Sequence, residues 1–152
     1  RVAEQHRSAT TRQIILHAPS EAIVGTWDSA RLEQVLNNLI SNAIAYSPPD
    51  APVTIGIERQ PHEVTVWVRD EGRGMSKEEQ AHVFERFYRA SAGAHTSTGG
   101  LGLGLYISHE IVRRQGGRMW LDSEPGRGST FYFALPLAGG TPDCSANREQ
   151  QD

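Results

Sequence analysis

Residues 28–50 read DSARLEQVLNNLISNAIAYSPPD, and the fold is decided here. Leu32, Val35, Leu36, Leu39, Ile40, Ala43 and Ile44 return at intervals typical of a helix that lays one face on a core. Asp28 or Ser29 supplies a side-chain oxygen able to accept from a first-turn N–H, so the helix starts there. It stops at SPPD, because proline has no N–H to give and the residue before it avoids the helical conformation. Residues turn by about 100° per step along a helix. Asn38, Asn42 and Tyr46, spaced four apart, therefore line up beside the apolar stripe. Two amides and a phenol at the rim of a core want hydrogen-bond partners, which neighbouring loops or a ligand could equally provide.

Before this helix, RQIILHA reads as a short strand. After it come VTIGIER and EVTVWVRD, two strands joined through QPH as a hairpin. Val64, Val66 and Val68 share one phase of the second strand, and Asp70 continues that phase, so its carboxylate points inward at the strand end and needs donors. The turn DEGRGM offers its own amides. Gly72 and Gly74 also strip away side chains and let a ligand approach the backbone; a purine amino group is a donor that would fit Asp70.

Further along lie a short acidic helical stretch and VFERFYRA, in which Phe84, Phe87 and Tyr88 can anchor the segment while Arg86 and Arg89 project. Those arginines could reach a terminal phosphate or be ordinary solvated charges. A loop from about Ala90 to Gly99 follows, then a helix expected from near Gly100 to Gln115, ended by a Gly-Gly pair. Nine of the fifteen glycines fall between Gly93 and Gly128, five of them in Gly93 to Gly104. Gly100, Gly102 and Gly104 alternate with Leu101, Leu103 and Leu105 at the helix start, so the leucines can be buried while free amides and the positive helix end face an anion. A plain flexible loop is the alternative. The spacing is neither the dinucleotide fingerprint nor a P-loop, which needs G-K-[ST]. GRMWLDS and STFYFALP form a second hairpin around EPGRG. The expected class is α+β: a two-layer sandwich, its mixed, mostly antiparallel sheet of about five strands covered on one face by about three helices.

Composition narrows the partners. A chain of 152 residues and 16.7 kDa is one domain, and 38% hydrophobic with 22% charged residues is enough to build a core. The net charge of −3 argues against nucleic acid as a partner. Cys144 is the single cysteine, so no internal disulfide or cysteine-based zinc site can form, and an intracellular, cytoplasmic setting is expected. No apolar run could span a bilayer and the start, RVAEQHRSATTR, is polar, so direct membrane contact by this chain is not expected. Lys77 is the only lysine and lies in acidic SKEEQ, which leaves arginine as the phosphate-binding cation. Residues 1–10 read as the end of a preceding helix or linker, 11–137 as the folded domain and 138–152 as a disordered polar tail.

NNLISNAIAYS, DEGRGM, VFERFYRA and TGGLGLGL, in that order, resemble the N, G1, F and G2 boxes of the catalytic ATP-binding domain of two-component sensor histidine kinases. The resemblance runs from about Gln13 to Pro136 and implies the Bergerat fold with ATP and Mg²⁺ as ligands. It also implies roles. Asn42 would be the Mg²⁺ ligand, Tyr46 a wall of the adenine pocket, and Asp70 the acceptor for the adenine amino group beside Gly72 and Gly74. Gly100, Leu101, Gly102, Leu103 and Gly104 would lie under the phosphates, with Arg86 and Arg89 at the terminal phosphate and 89–99 as the ATP lid.

Asn38 stands where related gyrase-, chaperone- and mismatch-repair-type ATPases, and anti-sigma-factor serine kinases, have a glutamate that activates water or a hydroxyl. An amide cannot act as a base at neutral pH. Transfer to an imidazole, already a nucleophile, suits that difference better than ATP hydrolysis does. Glu33 lies on another side of the helix and is no replacement. Ala45 occupies a frequent lysine position, and Glu71 that of a commoner asparagine. His109-Glu110 has part of the acceptor motif H-E-[LIV]-R-x-P but lacks the proline, so His109 is expected to be exposed or packing. The resemblance thus implies a protein-histidine kinase domain whose acceptor histidine is on a separate dimerisation domain upstream, with a response regulator downstream. A stand-alone ATPase and a degenerate binding module are the other readings.

Overall fold

Asp28 caps the long helix: its Oδ1 accepts from Arg31 N–H at 3.2 Å, and the helix α1 runs Ser29–Ala45. The computed structural model describes residues 2–3, 14–18, 27–86 and 103–137. Within them β1 (Ile14–His17) precedes α1, followed by β2 (Val53–Arg59), β3 (Glu63–Asp70), α2 (Lys77–His82), α3 (Gly104–Arg114), β4 (Arg118–Ser123) and β5 (Ser129–Pro136). The strands form one sheet in the order β1-β2-β3-β5-β4. Only β1 and β2 are parallel, and α1 lies between them in the chain, which is the long crossover a parallel pair requires. Both expected hairpins form, β2 with β3 and β4 with β5.

The alternation in β3 sets which face is core. Val64, Val66 and Val68 pair across with Leu135, Phe133 and Phe131 of β5, and these join Val35, Leu39, Ile40 and Ala43 of α1 and Ile111 and Val112 of α3 in one hydrophobic cluster. Val2 and Ala3, in the stretch read as a preceding helix, are helical and buried in the same cluster. Each fully buried side chain, Phe133, Leu39 and Ile40 among them, contributes about 1.5–3 kcal/mol relative to exposure. On the opposite sheet face Gly56, Trp67, Tyr132 and Trp120 stand in one cross-strand row. Trp67 lies so close over Gly56 that a Cβ there would be 1.9 Å from the indole. Trp120 stacks on Tyr132 at 5.2 Å, with the Arg118 guanidinium 5.0 Å from the Trp120 ring.

α3 runs antiparallel to α1 and is tied to it at both of its own ends. Asp28 N–H donates to Gln115 Oε1 at 3.0 Å, joining the start of α1 to the end of α3. Asn38 bonds to the start of α3 at the other end. The Gly-Gly pair ends α3 as expected: Gly116 has φ 82°, and Gly117 N–H returns to Val112 O at 2.9 Å. The start differs from expectation. It falls at Gly104, with Leu103 as its N-cap, rather than near Gly100; residues 87–102 lie outside the described residues. Glycine is a poor helix former, and the Gly-Leu alternation carries no helical period.

Candidate functional site

The last turn of α1 and the end of β3 meet through glycine. Asp70 is 5% exposed, as its inward phase required, and its Oδ1 accepts from Gly72 N–H at 2.8 Å. A Cβ on Gly72 would lie 2.2 Å from Tyr46 O and 2.9 Å from Asp70 Oδ1, so the turn fits against the C-cap of α1 only without a side chain. Gly74 has φ 72° and would set its Cβ 1.9 Å from Glu124 O. Gly128 has φ 80°, with a Cβ 2.1 Å from Asp70 O. The turn after Asp70 is therefore wedged between α1 and the β4–β5 turn, and Tyr46 N–H in its turn bonds Asn42 O at 3.0 Å. Asn42, Tyr46, Asp70 and Gly72 belong to one neighbourhood. Among the described residues the half-buried Asn42 amide has no hydrogen-bond partner.

Asn38 faces α3. Its Nδ2 donates to Gly104 O at 3.3 Å and to Ser108 Oγ at 3.1 Å, so both its N–H groups are engaged by one turn of that helix. No side chain caps Leu103. The first-turn N–H groups of α3 and the positive end of its dipole are what an anion would meet there. Leu103 and Leu105 are half-buried, and Leu105 packs on the core, as the alternating pattern predicts. Gly100, Leu101 and Gly102 lie outside the described residues.

The segment leading to the loop is docked by its aromatic residue. Val83 is buried, and Phe84 meets Phe131 edge to face at 6.3 Å and His109 at 5.1 Å. Arg86 does not simply project into solvent: its guanidinium lies 5.8 Å from the Tyr106 ring of α3, a cation–π contact that competes with hydration. Phe87, Tyr88 and Arg89 lie outside the described residues. His109 is the packing histidine expected. Burial holds its pKa below the ordinary value, Arg113 adds to this, and Glu110 opposes it.

Five contributors escaped the sequence reading: Arg73, Glu79, Gly128, Gln115 and Ser108. Arg73 Nη2 donates to Glu79 Oε2 at 2.9 Å, linking the Asp70 turn to α2. Glu79 closes a capping box with Ser76, and the Arg73 hydrogen bond, followed by that of Ser76, holds its pKa below the usual carboxylate range. Gly128 admits the Asp70 backbone, and Gln115 ties the two helices. Ser108 is wholly buried on the stripe with Ile111 and Val112. The available signals are the Ser76-x-x-Glu79 capping-box spacing and a serine on the apolar stripe of a helix.

An ATPase family described as histidine kinase-, DNA gyrase B-, and HSP90-like matches residues 27–139. The chain belongs to that family. Within it, the sensor histidine kinase WalK of Bacillus subtilis is 40% identical over 126 residues, 82% of this chain and 21% of WalK. The solved mycobacterial sensor histidine kinase MprB superposes with a TM-score of 0.74 at 27% identity, covering 90% of this chain and 89% of that one. Full-length ShkA in complex with AMPPNP superposes with a TM-score of 0.78 at 27% identity, covering 91% of this chain and 29% of that one. The chain is thus the ATP-binding catalytic domain of a sensor histidine kinase, and its described residues hold the expected mixed five-stranded sheet with α1, α2 and α3. It spans about a fifth to a third of the length of the curated relatives it matches. Among the described residues no helix is long and apolar enough to cross a membrane.

Proposed function

We propose that this histidine-kinase domain binds Mg-ATP and delivers its γ-phosphoryl group to a histidine on a separate dimerisation domain of the same protein, from which it passes to an aspartate of a response regulator. The observation that carries this reading is the meeting of the Asn42–Tyr46 turn with the buried Asp70 turn, one helical turn of α1 from Asn38 and the start of α3. Asp70 accepts from the purine amino group, and Gly72 and Gly74 leave the base room to approach. Tyr46 walls the adenine. The backbone of the stretch Gly100, Leu101, Gly102, Leu103 and Gly104 cradles the phosphates. Arg86 leaves Tyr106 and joins Arg89 in neutralising the terminal phosphate.

The donor set fits Mg²⁺. Asn42 offers an amide oxygen without a partner among the described residues, and Mg²⁺ takes few protein ligands beside phosphate oxygens and water. When bound, the ion supplies neutralisation of phosphate charge, with Asn42 as its ligand from this chain. Phosphoryl transfer asks the protein mainly for positioning and charge stabilisation, so no side-chain base is needed when the acceptor is an imidazole. Asn38 supports this reading over hydrolysis: an amide with both N–H groups on α3 is a poor substitute for a carboxylate that activates water. In this reading the reaction is cytoplasmic, on the cytoplasmic portion of a membrane-associated sensor. The test mixes this chain with its matching dimerisation domain and ATP labelled in the γ position. Acid-labile, base-stable label on a histidine of the partner is expected; steady phosphate release by this chain alone, with no transfer, would contradict it.

A further inference from the structure

We propose that Ser108 is a positioning residue for phosphate binding: through the Asn38 amide, its buried hydroxyl holds the first turn of α3 in register with the asparagine-bearing face of α1. This rests on the nucleotide reading above, and it assigns a role to a residue that is never itself at the ligand.

Three observations carry it. First, the two N–H groups of Asn38 reach two acceptors that are one turn apart on α3, Gly104 O at 3.3 Å and Ser108 Oγ at 3.1 Å. A pair of bonds to successive turns fixes both the sliding and the rotation of α3 against α1, which a single bond cannot do. It also fixes the amide orientation, with nitrogen toward α3. Second, Ser108 is 0% exposed and shares its stripe with Ile111 and Val112, so water cannot stand in for a deleted hydroxyl. The Asn38 N–H would lose its acceptor and keep only the longer bond to Gly104. Third, Gly104 follows directly on Leu103, whose side chain gives no cap. A shift of Gly104 is therefore a shift of the amides meant for the phosphates. Asn42 lies one turn beyond Asn38 on α1, so the same tether sets the separation of metal ligand and phosphate cradle. The Asp70 end depends on neither bond, being set by the close approach of Gly72 to Tyr46 O.

This asymmetry gives the test. In the unaltered chain and in Ser108→Ala, binding of Mg-ADP, Mg-ATP and adenosine is titrated by calorimetry, and amide hydrogen exchange over residues 104–108 is followed without nucleotide. Ser108→Ala is expected to weaken Mg-ADP and Mg-ATP about five- to tenfold, to leave adenosine within about twofold, and to speed exchange at 104–108 by a similar factor. A purely structural loss would weaken adenosine equally, and that result overturns the proposal. In the Asn38→Ala background the Ser108→Ala change should add less than about twofold, since its route is gone; full additivity overturns it. Ser108→Cys, slightly larger and with a weaker acceptor, should fall between serine and alanine; a value at or beyond alanine counts against the tether. If the unaltered chain binds no Mg-nucleotide, the proposed function and this inference fail together. If it binds and Ser108→Ala matches it in affinity and exchange, this inference alone fails.

Discussion

The two ends of the candidate site are held in different ways. At the Asp70 end the constraint is backbone against backbone: Gly72 against Tyr46 O, Gly74 against Glu124 O and Gly128 against Asp70 O, each closer than a Cβ would allow. At the α3 end it is side chain against helix: Asn38 on Gly104 and Ser108, Arg86 over Tyr106, Phe84 between His109 and Phe131. Backbone contacts in a glycine turn have no rotamers to exchange, whereas side-chain tethers can release and re-form. Under the proposed function, the difference suits a site that holds a base rigidly and adjusts around a phosphate chain.

The largest effect should come from the rigid end. Asp70→Ala removes a buried carboxylate, and hydrogen bonds to charged groups contribute about 1.5–3 kcal/mol. Mg-ATP affinity should fall about ten- to a hundredfold by calorimetry, with the fold intact by circular dichroism. Retained affinity would remove the adenine assignment and with it the comparison. Next is Gly72→Ala, where the new methyl meets the Tyr46 carbonyl, backbone that cannot swing aside. A loss of about 1–3 kcal/mol in urea unfolding is expected. An unchanged midpoint would mean that the turn is as adjustable as the α3 end.

The smallest effect belongs to the adjustable end and is read by pH. Burial depresses the pKa of His109 against Phe84, so the folded chain binds its proton less readily than the unfolded chain does. The contribution is fully present above about pH 6.5, the ordinary histidine value, and is lost as pH falls toward the depressed one. Stability measured by urea should therefore decline between pH 7.5 and 5.5 in part through this group, and His109→Gln should flatten the slope. An identical slope in the variant would separate His109 from the docking of Phe84.

Much of this was legible in the sequence, and unevenly so. The helix 29–45, both hairpins, the inward Asp70 and the Gly-Gly end of α3 follow from local pattern, because caps, alternation and turn residues act over a few neighbours. Three features of the α3 end did not. Its start at Gly104 has a leucine N-cap, which leaves no side-chain signature. The Asn38–Ser108 bond joins residues seventy positions apart, and Arg86 meets Tyr106 only because α3 packs beside that segment. The approach of Gly128 to Asp70 is likewise a product of sheet register, since Ser129 pairs with Asp70. Local chemistry thus announced which residues matter, while the contacts that position them needed the fold.

The most direct measurement is a backbone-amide NMR titration of the chain with Mg-ATP. Shifts at Asn42, Tyr46, residues 70–74 and residues 103–104, saturating together, are predicted. Shifts confined to the Trp67–Tyr132–Trp120 face, with those amides unmoved, would contradict the account.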